Sequence, residues 1–439
     1  MAVDFAKLKE RHLKARARVA VENEAMDKDF NPTPEDRFMI HALAGSNVFL
    51  TGQAGTGKST LLKRYLEEAV KRGKRVAVTA PTGIAALNIG GTTVHRWSGM
   101  MLGPQNGETI EAAVARLRDG HGFFKAQGRV GAADVLVIDE VSMLSGGHMD
   151  FLDRWLRELR GVSDEPFGGI QLIALGDFLQ LPPVRIDMTQ PYDWSFRAPA
   201  WERADFKSIK LTTVRRQDEP LFVGALGGFR LGSMTMRDAE LLKARVVLFP
   251  KANIPRLFTH NAQVDKWNSY RLDALEGQER VYKADTCGVS QSLEFYTKNL
   301  LTPSLLVLKP GAAVMFTAND ATEGFFNGQQ GVVVEMADNR IAVEANGRRY
   351  DVERREWSWQ DGEVSFSQFP LRLAYALTIH KAQGMTLDSA YVDIRAAREP
   401  GQAYVALSRV RTLAGLHLKE WPKGWFVSDE AIEFERRAE

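Results

Sequence analysis

The sequence predicts an α/β protein built on a parallel sheet, and three stretches carry that prediction. Gly52-Gln53-Ala54-Gly55-Thr56-Gly57-Lys58-Ser59 joins an apolar strand, Val48 to Thr51, to a helix beginning near Ser59. Val135-Leu136-Val137-Ile138 is a β-branched, fully apolar run that ends in two acids, Asp139 and Glu140. Ile170 to Leu175 is a third buried strand, emptying into Gly176-Asp177-Phe178-Leu179-Gln180-Leu181-Pro182-Pro183. Strand, loop and helix recur at Arg75–Thr79, Ala80-Pro81-Thr82-Gly83 and Ile84–Ile89. Such alternation makes parallel sheets whose ligand loops all lie at the carboxyl ends of the strands.

The 439 residues imply roughly two to four domains at ~150 residues each. A hydrophobic content of 44% is ample for packed cores. The lone cysteine, Cys287, excludes an internal disulfide and a cysteine-clustered zinc site, and the eight histidines show no ligand spacing. A net charge of +2 gives little long-range steering, so a nucleic acid would have to be held by a local groove. No stretch reaches the ~18 apolar residues of a membrane span and no signal-peptide core is visible, so the expectation is a cytoplasmic protein without membrane partners. Residues 1–30 read as a charged arm, either a solvated helix or a basic contact to phosphate. Asn31-Pro32-Thr33-Pro34-Glu35 then turns the chain into a helix, with Pro34 near its first position.

The glycines of the loop let successive N–H groups converge, and the helix after it adds the positive end of its dipole. A nucleotide triphosphate fits such a cradle. Gly52, Ala54, Gly55, Thr56, Gly57, Lys58, Ser59 and Thr60 are the candidate nucleotide-binding residues. Lys58 would reach the β- and γ-phosphates, and the Ser59 hydroxyl would complete the shell of a Mg²⁺. Leu61, Leu62, Tyr65, Leu66 and Ala69 give the following helix its apolar stripe, and Gly73 ends it. Asp139 is the second metal candidate and Glu140 the group that orients or deprotonates the attacking water. The plainer reading of these acids is a cap for the next helix. Gln180 is the candidate γ-phosphate sensor; its plainer reading is a glutamine bonded within its own turn. Residues 90–131 form a loop-rich insert in which Phe123 and Phe124 are either small-domain core or a surface that meets bases.

Beyond residue 282 helical periodicity fades. Leu305–Leu308, Ala313–Phe316, Gly331–Glu335, Ile341–Glu344, Arg348–Val352 and Val364–Phe366 are short strands, with Lys309-Pro310-Gly311 and Asn346-Gly347 as turns. A small β-barrel is expected, with Trp357 and Trp359 on one strand face, assigned to its core in preference to a base-stacking platform.

Taken together, these blocks resemble the PIF family of DNA helicases, within superfamily 1. The stretches that carry the resemblance are Gly52 to Thr60, Val76 to Ala86 with Ile89 to His95, Ile138 to Leu144, and Pro166-Phe167-Gly168-Gly169-Ile170-Gln171 leading into Gly176 to Val184. Leu211-Thr212-Thr213-Val214-Arg215-Arg216-Gln217, Leu371 to Gly384 and Gly401 to Val410 extend it. The resemblance implies two RecA-like P-loop motor domains, a small insert in the first and a Src-homology-type barrel inserted in the second. The boundaries expected are a charged arm over 1–30, a first domain over 31–204, a wedge-type insert at about 90–131, a second domain over 205–282 with 369–439, and the barrel over 283–368.

It also implies Arg216, with Arg215 as rival, as a phosphate-sensing arginine, and Arg409 as an arginine finger. Gly384 would join the nucleotide site. Pro81, Thr82, Gly83, His95, Thr259, His260, His380 and Lys381 would meet the DNA backbone. Asp36 stands where relatives carry an adenine-reading glutamine; a carboxylate accepts but cannot donate to a ring nitrogen, which predicts looser base discrimination. The implied activity is an ATP- and Mg²⁺-dependent DNA helicase that moves 5′ to 3′ along single-stranded DNA as a monomer and opens tailed duplexes, hybrids or guanine-rich folds. A translocase that strips proteins, and a nucleotide-switched binding module without turnover, are the alternatives.

Overall fold

The computed structural model describes residues 31–437, apart from 102, 105–106, 186, 188, 249, 251–253, 289–296, 298–299, 319, 321, 326 and 360–363. The expected N-terminal arm lies outside the described residues. The chain divides into two compact units, Met1–Arg215 with Ser428–Glu439, and Arg216–Val427.

In the first unit, α1 (Pro34–Leu43) leads to β1 (Val48–Thr51), α2 (Lys58–Lys71) and β2 (Val76–Ala80). Then come α3 (Gly83–Asn88), β3 (Thr92–Thr93), α4 (Val94–Ser98), α5 (Ile110–Arg118), α6 (Phe123–Ala132) and β4 (Val135–Ile138). After α7 (Gly146–Arg160), β5 (Gln171–Gly176), α8 (Pro199–Arg203) and β6 (Lys207–Lys210) complete the sheet. Its order is β3-β2-β4-β5-β1-β6, parallel throughout. Period-two alternation sends Val48 and Leu50, Val135 and Val137, Ile173 and Leu175 to one face, where Phe38 and Met39 of α1 and Leu61, Leu62 and Tyr65 of α2 cover them. Phe49 points the other way, into an aromatic cluster with Phe178 and Trp201.

The stretch Pro166 to Gly169 owes its sequence to this packing. Phe167 and Gly168 take left-handed backbone angles, φ 53° and 64°. A Cβ on Gly168 would lie 2.8 Å from the Leu156 carbonyl oxygen, so no side chain fits there. The buried Arg160 donates Nε to the Gly168 carbonyl at 2.6 Å and Nη1 to the Val130 and Ala133 carbonyls at 3.1 Å each, and the Phe167 amide donates to Asp153 Oδ1 at 2.6 Å. This arginine ties α6, α7 and the entry to β5 into one block.

The second unit opens with α9 (Pro220–Leu231) and α10 (Met236–Lys243), then β7 (Arg256–Phe258) and α11 (Asn261–Asp273). An antiparallel excursion follows: β8 (Arg280–Lys283), β9 (Asp285–Cys287), β10 (Leu305–Leu308), β11 (Ala313–Phe316), β12 (Gln330–Met336), β13 (Arg340–Ala345), β14 (Arg348–Glu353), β15 (Arg355–Trp359), β16 (Val364–Gln368) and β17 (Leu371–Leu373). The chain closes a parallel sheet with β18 (Ala376–Thr378), β19 (Ala390–Val392), α12 (Gln402–Leu407) and β20 (Leu416–Leu418), in the order β18-β7-β19-β20. The last element, α13 (Asp429–Arg437), belongs to the first unit.

Three expectations are corrected. The first unit runs to Arg215, because β6 pairs in register with β1 (Val48 with Lys207 through Thr51 with Lys210). Its other part is α13, where Phe434 stacks on Phe196 with ring centroids 4.3 Å apart and also meets Phe49, Phe178 and Trp201, while Lys210 pairs with Glu435 at 3.0 Å. The β excursion begins at Arg280 and ends at Leu373, since β8 pairs with β10 and β17 with β11. Its described strands pair as sheets of five, three and two, and those of five and two share a core that includes Leu306, Val314, Phe316, Phe325, Val343 and Leu371. Trp357 is half-buried beside Phe366, outside that core, because it lies in the three-stranded sheet.

Candidate nucleotide and nucleic-acid sites

Because the first sheet is parallel, β1, β5, β4 and β2 deliver their following loops to one rim. The phosphate loop, Asp177, Asp139 with Glu140, and Pro81 to Gly83 all stand there. Gly52, Gly55 and Gly57 have φ of 148°, 82° and 90°, the wound backbone that the spacing predicts. Gly57 caps α2 with no side-chain hydrogen bond, which leaves the helix's first N–H groups turned toward the loop. Buried Thr56 closes the base of the loop through its hydroxyl to the Gln53 carbonyl at 3.0 Å. Lys58 folds back over it, donating Nζ to the carbonyls of Gly52 at 2.5 Å and Gln53 at 3.3 Å. Ser59 and Thr60 are exposed at the first turn of α2, and Ala54 is buried.

Asp139 is buried at the end of β4, its Oδ1 accepting from the Glu140 amide at 3.0 Å. Burial pushes its carboxyl well above the usual aspartate range, the charge of Glu140 adds to the rise, and Lys58 opposes it. Glu140 holds a left-handed backbone, φ 53°, at the turn that follows. Among the described residues no three His, Cys, Asp or Glu side chains cluster as a metal cage. Asp139 and the Ser59 hydroxyl are oxygen donors of the kind that could hold a Mg²⁺ whose other ligands come from phosphate and water.

Gln180 is buried and donates Nε2 to Asp177 Oδ2 at 3.0 Å, while its amide donates to the Asp177 carbonyl at 2.9 Å. The turn-bound reading is the one observed. Asp36 is likewise engaged: Thr33 donates its hydroxyl at 2.6 Å and its amide at 3.2 Å to Asp36 Oδ2, and the Asp36 amide donates to Thr33 Oγ1 at 3.2 Å. That is a capping box, and the Thr33 hydroxyl bond holds the carboxyl below its ordinary pKa. Thr82 caps α3, accepting from the Ala85 amide at 3.3 Å, with Pro81 and Gly83 half-buried beside it.

His95 packs edge-on against His148 with ring centroids 5.2 Å apart, and burial, then His148, drives its pKa down to about 4. It is uncharged near neutrality, so any contact with a DNA backbone would be made by a neutral imidazole. Arg215, the rival of Arg216, stands at the phosphate loop. Its amide donates to the Gly55 carbonyl at 2.8 Å, its side chain lies over Gly57, and its Nη2 reaches Glu35 Oε1 at 3.0 Å. It belongs to the first unit, at the phosphate loop. No local pattern announces this, since the contact spans residues 35 to 215.

In the second unit Arg216 donates Nη1 to the Ser408 carbonyl at 3.1 Å, and Gln217 donates Nε2 to the carbonyls of Ser408 and Val410 at 3.2 and 2.8 Å. Arg409 lies in that segment, buried, with Nε on the Val405 carbonyl at 2.7 Å and Nη2 on Ser408 Oγ at 2.8 Å. The two arginines are thus brought to one place. Thr259 and His260 follow β7, and His380, Lys381 and Gly384 follow the neighbouring parallel strand β18, so these loops share a second rim. Thr259 Oγ1 and His260 Nδ1 lie 2.7 Å apart; His260, His380 and Gly384 are exposed and Lys381 is half-buried.

Comparison with known proteins decides the assignment. A family model described as PIF1-like helicase matches residues 38–221. The chain is 35% identical over 415 residues to the ATP-dependent DNA helicase Pif1 of Bdellovibrio bacteriovorus, covering 93% of this chain and 92% of that protein. The chain belongs to the PIF1-like helicase family. This PIF1-like helicase also spans 62% of the Danio rerio relative, at 37% identity. Among solved structures, a Bacteroides Pif1 in complex with ADP-AlF4 matches with a TM-score of 0.79 and 33% identity over 93% of this chain and 97% of that one. The Bacteroides Pif1 bound to single-stranded DNA matches at 0.66 and 34%, with the same coverage. The fold of this PIF1-like helicase is therefore that of two RecA-like domains, its activity ATP-dependent. No described helix is long and apolar enough to cross a membrane.

Proposed function

We propose that this chain hydrolyses Mg²⁺-ATP to step 5′ to 3′ along single-stranded DNA, as a monomer, and opens duplexes that carry a 5′ tail. The observation that carries this reading is the shared rim of the first sheet, where the phosphate loop, Lys58, Asp139 and Glu140 stand together. ATP lies with its phosphates on the N–H groups of the loop and the first turn of α2. Lys58 leaves the Gly52 carbonyl for the β- and γ-phosphates. Ser59 and Asp139 hold Mg²⁺, which neutralises phosphate charge when bound. A dication there would also oppose the rise that burial gives the Asp139 pKa. Glu140 orients the attacking water and takes its proton, and Gln180 exchanges Asp177 for the γ-phosphate or for that water.

Arg216 and Arg409 supply the planar, permanent charge that a departing γ-phosphoryl group needs. Thr82, Thr259, His260, His380 and Lys381 hold the strand's backbone, and Phe124, 79% exposed on α6, is the wedge. Phe123 is not part of it, since it packs on Trp155. The experiment is strand separation on two matched duplexes, one with a 5′ and one with a 3′ tail, with Lys58→Ala as control. Opening of the 5′-tailed duplex alone is expected. Opening only the 3′-tailed one overturns the direction, and DNA-stimulated hydrolysis without opening overturns the unwinding.

A further inference from the structure

In β17, Leu371 and Leu373 enter the core of the five-stranded sheet, so alternation sends Arg372 to the opposite face, paired across the ladder with Met315 of β11. Thr317 continues that face and shares a 2.5 Å hydrogen bond with Thr302. Here the antiparallel excursion meets the loop after β18: a Cβ on Gly328 would lie 3.7 Å from the Cβ of Met385. Two cations lie near this junction. Arg372 Nη1 reaches the Leu301 carbonyl only at 3.5 Å, and its Nε, shut off from solvent, finds no acceptor among the described residues.

Lys381 feels the charge of Arg372, and Asp265 of α11 acts on both from beyond ion-pair distance. Burial brings Arg372 down to about 10 and lowers Lys381 as well, with Arg372 adding to the second shift. Two desolvated cations thus face one distant carboxylate. A desolvated guanidinium left short of acceptors is unfavourable unless an anion completes it. A phosphate offers the oxygens that a guanidinium fork matches. Lys381 belongs to the same rim as Thr259 and His260.

We propose that Arg372, with Lys381 beside it, grips a backbone phosphate of the bound strand, so that the antiparallel excursion and the parallel sheet of the second unit hold DNA jointly. This rests on the DNA-binding reading above. The test is fluorescence anisotropy of a labelled oligothymidylate over a sodium chloride series, without nucleotide, for wild type, Arg372→Gln, Arg372→Lys and Lys381→Gln, each checked by thermal melting. Arg372→Gln is expected to bind about tenfold more weakly at low salt. Its plot of log affinity against log salt should be shallower by ~0.7, one phosphate on a single strand.

Arg372→Lys should restore the slope. An unchanged slope in Arg372→Gln, with or without weaker binding, overturns the proposal. Should that variant fail to fold, Lys381→Gln, which leaves the Leu301 bond in place, must lose the same slope, and a wild-type slope there overturns it equally. A wild type that does not bind the oligonucleotide instead refutes the DNA-binding reading itself.

Discussion

Gly52→Ala perturbs the phosphate loop at its tightest point. The added Cβ would stand 2.6 Å from the Leu211 carbonyl oxygen and 2.9 Å from Thr56 Oγ1, at a φ of +148°. Leu211 cannot retreat, because its amide is bonded to the Thr51 carbonyl at 2.9 Å, continuing the β1–β6 ladder. The backbone angle costs ~1–3 kcal/mol and the forced contact ~1–3 kcal/mol more, or ~2–6 together. At ~2–4 °C per kcal/mol for a unit of this size, melting should fall by roughly 4–24 °C. Any relief obtained by shifting the loop moves the Gly52 carbonyl off Lys58 and misplaces the cradle, so nucleotide binding should weaken at least about tenfold as well. Gly57→Ala is the control. Its Cβ meets only the flexible Arg215 side chain at 3.4 Å, which leaves the positive-φ strain of ~1–2 kcal/mol. Thermal melting and titration with a fluorescent ATP analogue read both variants. A Gly52→Ala protein that melts and binds as wild type, or one less damaged than Gly57→Ala, refutes the reasoning.

Arg160→Leu leaves the buried carbonyls of Gly168, Val130 and Ala133 without their donor, at ~1–3 kcal/mol for each that water cannot reach; urea unfolding should show a loss of about 3–5 kcal/mol, and a loss below about 1 would count against the tie between α6, α7 and β5. His95 is held neutral with its pKa lowered to about 4, while the unfolded chain protonates it near 6.5. Its stabilisation is therefore complete above 6.5 and fades as pH falls toward 4, by roughly 1–3 kcal/mol; unfolding curves across that window should flatten in His95→Gln, and an equally steep loss in the variant removes His95 as the cause. Phe124→Ala should spare ATP hydrolysis and lower the unwinding rate, whereas Phe123→Ala should lower the melting temperature through its lost contact with Trp155; unwinding that is unchanged in Phe124→Ala dismisses the wedge.

The rim of the first sheet was legible because its signals are local. A glycine pattern between strand and helix, and an apolar run ending in acids, each fit within about ten residues and need no partner to be recognised. What escaped depends on distant pairing. Nothing in Lys207–Lys210 says that it will lie beside β1, and nothing in Phe434 names the aromatic cluster that receives it. Arg215 reads as a neighbour of Arg216 until Glu35 and Gly55 are placed against it. At Asp36 the local signal was there to read: the Thr33-Pro34-Glu35-Asp36 spacing is itself a capping signal, and the capping bonds are the ones observed. For His95 and Gln180 the residue type suggested function, while burial and the nearest partner set their state.

The return of α13 to the first unit has a consequence for biosynthesis. Phe49, Phe178, Phe196 and Trp201 leave the ribosome early, but the ring that fills the space among them is Phe434. Residues 216–427 are made in between, an interval of roughly 10–40 s at ~5–20 residues per second. During that time the nascent first unit carries an apolar notch that only the last helix can close. The nucleotide-binding half is thus begun before the second unit and completed only after it.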